Sequence, residues 1–420
     1  MNRLWLVLLL LTASSCSTGR LQPHVNNLVV SQRPAQALEA LAKAPPTSYG
    51  KRNELLYWLD KGMAAHLAGR YNESIAAFSA ADKKFDQLYT RSISQAAASW
   101  AFNDYAQDYR GDDHEYVLVS VFQAVNFAVQ GNIEEALVEA RRVDQKLKLI
   151  GGRYKAGQKN VYNDDAFVRF FSGVLWQATG TSEGLNDAYI AYSRALKIYD
   201  FPPPLLHRNW TEAKAFMDEG RRPTAAKAHV YVIEYTGFAP IKDEEWILVP
   251  VDPTHVTKFA IPRYLDRFSL VNSSIVSAVA GAQQQTQNTQ LGQNIGVRAK
   301  EIMASRRAWY LTKGAARPLM KYAAEKVVET QVRQNYGDLA AGLLALAGNI
   351  FNIASERADV RSWQTLPNTI RIARLDLDPG SYDLFIEDQD QARVPVEKRG
   401  LGRVSLQAGE TRFLVTRSYR

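Results

Sequence analysis

The side chains best placed for chemistry lie in the run GDDHE, Gly111 to Glu115, where Asp112, Asp113, His114 and Glu115 are consecutive. Asp, Glu and His are the ligand types of divalent metal sites. The same residues ahead of an apolar helical run also form a helix start. An N-cap carboxylate satisfies orphan N–H groups, and an acid in the first turn favours the positive dipole end. The capping reading is preferred, and no metal is assigned. The six histidines (His24, His66, His114, His207, His229, His255) are dispersed, and none has a second histidine at helical ligand spacing. The run KDEE, 242–245, sets carboxylates beside an expected strand. Glycosidases use acid pairs across a sugar site, but adjacent acids at a strand start read as solvated. GGRYKAG, 151–157, lacks the strand and Lys-Ser/Thr pattern of a phosphate cradle and reads as a loop. HExxH, Walker and GxGxxG patterns are all missing from the sequence. The expectation is therefore a protein that is not an enzyme and uses no cofactor. Trp363, beside Arg361 in RSWQTLP, is the one candidate for touching a partner or a sugar if exposed, with core packing as the competing role.

The only cysteine, Cys16, follows Arg3, the apolar run Leu4 to Leu11 and the small residues Ala13, Ser14 and Ser15. One thiol supports neither an internal disulfide nor a zinc site. A charged start, a short apolar run and small residues form the layout of a secretory signal. The run is well under the ~20 residues that span a bilayer. Small residues directly before cysteine resemble the lipobox of bacterial lipoproteins, with Ala13 where Leu is more typical. That resemblance implies a signal peptide over residues 1–15, acylation of Cys16 and a lipidated tether over 16–30. Ser17 supplies no retention charge, so the pattern resembles outer-membrane sorting facing the periplasm.

The formal charge of +8 is spread without a block of five like charges, which argues against a nucleic-acid face. Apolar and aromatic content suffices for packed cores over most of the chain.

The elements that would position these residues divide into a helical and a strand-rich part. AQALEALAKA has apolar residues at helical spacing. Trp58, Gly62, Gly69, Tyr71, Ser74, Phe78 and Ala81 then fall at the offsets of a tetratricopeptide (TPR) helical hairpin. Small residues permit the helices to touch, aromatics fill the gaps, and Gly69 can take the left-handed conformation that ends a helix. A second hairpin places Ala124, Phe127, Gly131, Ile133, Ala136 and Val143 equivalently. A third places Gly173, Trp176, Gly180, Ala188, Tyr192 and Ala195, with about one helical turn inserted after the turn glycine. The turn glycines are 62 and then 49 residues apart, not the ~34 of a regular array, so insertions separate the hairpins. The prolines of DFPPPLL are expected to stop the helical region.

From Ala228, AHVYVIEYT, EEWILVPV, VTKFAIP and FSLVNSSIV alternate with period two, as do segments from NTIRIARLDL to the C-terminal region. The two strand sets are expected to share one sheet system. Between them GAQQQTQNTQLGQN reads as a mobile loop, followed by a helix that Pro318 should kink or split. LAAGLLALAGNIFNIA, 339–354, reads as a buried packing helix rather than a membrane span. Its small residues would also permit close self-association. The expected fold class is α+β: a TPR-like α-solenoid over 31–226, then a strand-rich domain with β-regions at 227–280 and 359–420 around a helical insertion at 281–358.

The phrases GDDHEYVLVSVFQAVNFAVQGNIEEALVEARR, DDAFVRFFSGVLW, FPPPLL, AIPRY, RPLMKYAAEK and ERADVRSWQTLPNTIRIARLDL together resemble an uncharacterised family of Gram-negative TPR-like lipoproteins. The resemblance covers nearly the whole chain after Cys16. It implies envelope-assembly accessories, some accompanying lipoproteins similar to activators of penicillin-binding proteins. The functional expectation is a non-catalytic, lipid-anchored scaffold that binds envelope proteins through a helical groove and binds no nucleic acid. A peptidoglycan- or glycan-associated accessory factor is the alternative.

Overall fold

The computed structural model describes residues 21–94, 107–152, 161–220, 226–252, 255–355 and 357–420. Cys16 and the segment before it lie outside the described residues. The fold is α+β, 52% helical and 25% strand, with helices first and a sheet-rich region after them.

Helices α1 (Leu21–Val30) and α2 (Pro34–Ala42) open the described chain. Residues 21–30 are therefore not tether: Val25 and Val29 are fully buried in the main core, four residues apart on one helix face. Three helical hairpins follow: α3 (Glu54–Leu67) with α4 (Tyr71–Ser94), α5 (Asp113–Val129) with α6 (Ile133–Gly151), and α7 (Ala166–Ala178) with α8 (Ser182–Ile198). Each reverses at a left-handed glycine, Gly69, Gly131 or Gly180, with φ of +72°, +77° and +67°. A Cβ on Gly62 would lie 2.4 Å from the Phe78 ring, and one on Gly173 would lie 2.3 Å from the Tyr192 ring. The same small-to-large contact thus closes the first and third hairpins. Ala136 and Ala188 are buried, while Trp58 and Tyr71 are only partly so.

The proline run does not end the helical region. Helix α8 stops at Ile198, and Pro204 is the first residue of α9 (Pro204–Glu219). Proline is suited to that position, because its fixed φ matches the helix and its missing N–H would have had no partner there.

Strands β1 (Ala228–Thr236), β6 (Gln290–Asn294), β7 (Thr369–Leu377) and β10 (Thr411–Ser418) form one sheet in the order β10-β1-β7-β6, with β1 and β10 parallel. Strands β4 (Ser273–Ala280), β5 (Gln283–Asn288), β8 (Gly380–Gln389) and β9 (Pro395–Leu406) form a second, ordered β5-β4-β8-β9. Both strand sets contribute to both sheets. A separate hairpin pairs β2 (Ile241–Asp252) with β3 (His255–Leu265). The polar run at 281–294 is two strands rather than a loop. Strand β5 is exposed along almost its whole length and is held by backbone pairing to β4, which needs no apolar residue at a sheet edge.

Period-two alternation puts β1 to use on both faces. Val230 and Val232 join Val276, Leu384 and Ile386 in a core between the two sheets. Tyr231, Ile233 and Tyr235 belong to the larger core shared with the helices. The layers are helices, first sheet and second sheet. Phe122 contacts Tyr235 at 5.5 Å, and Phe171 contacts Phe413 at 6.1 Å. The helical faces bearing these rings are covered by the chain's own sheet, so a partner groove cannot lie there.

Between β6 and β7 the chain forms α10 (Ile295–Tyr336) and α11 (Asp338–Ser355). Pro318 does not split α10, which is continuous across it. The expected buried packing helix is instead partly open: Leu339, Leu343 and Leu346 are 80%, 63% and 59% exposed.

Candidate functional site

The start of α5 lies where the helical part meets β2, β3, α10 and the 359–365 segment. Asp112 and Glu115 adopt the capping-box arrangement at the N-terminus of α5. Glu115 Oε2 accepts from the Asp112 backbone N–H at 3.0 Å and from the Tyr109 hydroxyl at 2.5 Å. Its Oε1 accepts from the Trp363 backbone N–H at 2.7 Å. Asp112 Oδ2 accepts from the Tyr264 hydroxyl and pairs with the Lys242 ammonium, each at 2.8 Å. Asp113 pairs with Arg306. Caps expected from local sequence thus also hold distant parts of the chain.

The second half of the clasp is built on 359–365. Arg361 bonds Asp359 and reaches Asn53 Oδ1 at 2.9 Å and the Gln107 carbonyl at 3.0 Å. Trp363 is 1% exposed, which overturns its role as an exposed partner or sugar contact. Its ring sits 5.8 Å from both Phe78 and Phe122. Its indole N–H donates to Thr365 Oγ1 at 2.8 Å, and Thr365 donates to Asp60 Oδ1 at 2.8 Å. The Tyr49 hydroxyl completes the chain by donating to Asp60 Oδ2 at 3.0 Å.

Burial raises the Asp60 carboxyl to about 7, with the bonds from Thr365 and Tyr49 opposing the rise. Burial, reinforced by the Asp112 charge, also raises Glu115 to about 7. For Asp112 burial acts upward too, but the Lys242 ammonium, then His114 and Arg306, hold it well below the usual carboxylate range. His114 is lowered to about 4 by burial, against the field of Asp112, so its imidazole is neutral at pH 7.

Asp112, His114 and Glu115 each offer a ligand atom within 4.8 Å of the others, and His114 Nδ1 is buried without a hydrogen-bond partner. The donors around them do not fit a metal centre. Both Glu115 oxygens accept from protein groups, and the Lys242 ammonium sits where a cation would neutralise Asp112. The adjoining cleft, lined by Asp112, Tyr264, Met303, Arg306 and Tyr310, is too narrow to admit a water molecule. The arrangement is a closed ion-pair and hydrogen-bond clasp, chemically suited to locking segments together.

The other sequence candidates are dispersed. In KDEE, Lys242 is buried in the clasp, Asp243 pairs with Arg263, and Glu245 pairs with Arg307 across to α10. The cap of α7 is Asp165, which accepts from the Val168 N–H. Asp164 pairs with Arg169 and Arg194. His66 is buried, with Nδ1 2.6 Å from Asn126 Oδ1 and Nε2 3.1 Å from the Tyr235 hydroxyl. Another buried acid, Glu234, accepts from Ser274 at 2.6 Å and Thr289 at 2.9 Å between the sheets. Sequence reasoning missed Lys242, Tyr264 and Arg306 as partners of the α5 start, and Asp60 as the acceptor of Thr365 and Tyr49. No local signal marks them, because each becomes a neighbour only through the fold.

Comparison with known protein families, curated proteins and solved structures finds no match to the chain.

Proposed function

We propose that this protein is a non-catalytic scaffold of the cell envelope, held at a membrane by acylation of Cys16 and facing the periplasm. The observation that carries the reading is the layout around Cys16: a short apolar run, small residues, then the chain's only thiol. Several acyl chains, at ~0.8 kcal/mol per buried methylene, hold a protein where one chain binds only marginally. In this reading the three hairpins are TPR-like units whose inner faces are spent on the protein's own sheet. Envelope proteins then dock on the outward surfaces.

Two features support a scaffold over an enzyme. In the strongest cluster of titratable groups among the described residues, both Glu115 oxygens accept from protein donors and Lys242 neutralises Asp112, and the adjoining cleft has no room for a water molecule. Burial of Trp363 removes the aromatic contact that had favoured a glycan-associated factor.

Palmitate labelling of wild type and Cys16→Ala in cells tests the anchor. Label on wild type that disappears in the variant is the expected result, and an unlabelled wild type would overturn the reading. Incubation with purified sacculi separates the glycan alternative, because a protein scaffold stays in the supernatant.

A further inference from the structure

Gly337, with φ of +84°, turns the chain directly from α10 into α11, and the pair packs on β3. On α11 the exposed residues Leu339, Gly342, Leu343, Leu346 and Ala347 recur at intervals of three and four, which places them on one helix face. None carries a polar side chain. A single exposed leucine needs no explanation, but a continuous apolar face does.

The neighbouring hairpin shows the same character. Trp246 and Leu248, two residues apart on β2, are 65% and 62% exposed, and the Lys258 ammonium lies 4.3 Å from the Trp246 ring centroid. Tryptophan beside a long cationic side chain suits the boundary between water and lipid.

The charge leans the same way. Helix α10 carries nine Lys or Arg against three Glu, and Asp266, Asp113, Glu245 and Asp338 on neighbouring elements pair with Lys300, Arg306, Arg307 and Arg333, which leaves a cationic surplus of two in a chain whose formal charge is +8. No described helix is long and apolar enough to cross a membrane. An apolar helix face beside a cationic helix has the chemistry of a segment that lies on an anionic bilayer surface. A second copy is a poorer occupant, because docking through α11 would bring two cationic α10 helices together.

We infer that the α10–α11 pair, with the β2–β3 hairpin, forms a peripheral docking surface for anionic lipid bilayers, independent of acylation. The inference deepens the membrane-held reading above, but it is tested without Cys16. Failure here leaves palmitate labelling unaffected, and failed labelling leaves this result standing.

The test uses the chain without residues 1–16, which removes the apolar leader and the acylation site and leaves every described element intact. It is floated with vesicles containing phosphatidylglycerol and, separately, with vesicles of phosphatidylcholine alone. The expected result is flotation with the anionic vesicles, weakened by salt. Leu343→Asp/Leu346→Asp should lower binding about tenfold or more, and Arg307→Glu/Arg333→Glu should weaken it on anionic vesicles selectively. All four positions are exposed, and an unchanged thermal melt verifies folding. A parent chain that does not float, or flotation indifferent to both variants, overturns the proposal. So does a solution dimer that Leu343→Asp/Leu346→Asp dissociates while vesicle binding is absent.

Discussion

The backbone N–H of Trp363 donates to Glu115 Oε1 at 2.7 Å, joining residues 248 positions apart. One carboxylate therefore serves both as part of a local helix cap and as a long-range tie to the segment that leads into β7. The helical and strand-rich parts are coupled through this contact, so perturbing the α5 start should weaken the whole structure rather than one helix.

Lys242→Met should be strongly destabilising. The variant leaves the half-buried Asp112 without its closest cation, and breaking a buried pair from one side costs up to about 3–5 kcal/mol. Urea unfolding should show this loss, with Lys242→Met/Asp112→Asn recovering a large part of it. If the double variant is no better than the single one, the ion pair is not the source.

Asp60 gives a pH dependence of defined sign. Its folded-state value of about 7 lies above the ordinary carboxylate range, so the folded protein holds a proton that the unfolded chain releases. The stability tied to that proton is fully present below pH 4 and is lost as pH rises through 7. Asp60→Asn removes the titration. The stability of this variant relative to wild type should therefore improve from pH 4 to pH 8, by about 2–4 kcal/mol. A difference that stays flat over that range contradicts the assignment.

Gly62→Ala and Gly173→Ala should each cost about 1–3 kcal/mol, because the added methyl collides with the Phe78 and Tyr192 rings. Pairing Gly62→Ala with Phe78→Leu should relieve part of the first cost. Gly69→Ala meets no atom within 4 Å, but its φ of +72° is strained for alanine, so a loss of about 1 kcal/mol is expected from backbone strain alone. Thermal melts of the four variants check the ranking.

Trp363→Ala should cost about 3–5 kcal/mol, the range for emptying a large aromatic site in a core. It should also leave any binding to sacculi unchanged at temperatures where the variant is folded. A selective loss of sacculus binding without loss of stability would restore the ring to a surface role.

The sequence by itself determined the local features whose physics is short-range. Gly69, Gly131 and Gly180 mark the hairpin turns because a left-handed backbone there excludes most side chains. Alternation in AHVYVIEYT marks a strand, and the acids before YVLVSVF mark a helix start. Where local cues were ambiguous, the outcome turned on distant neighbours. Proline at 204 begins a helix instead of ending the region, and the glutamine-rich run pairs as strands because β4 and β7 offer edges. Tertiary structure alone decided that Trp363 is interior, that the inner helical faces meet the protein's own sheet, and that Lys242 and Arg306 neutralise Asp112 and Asp113. Periodicity reports which residues share a face, but the partner of that face is fixed by packing among segments hundreds of residues apart.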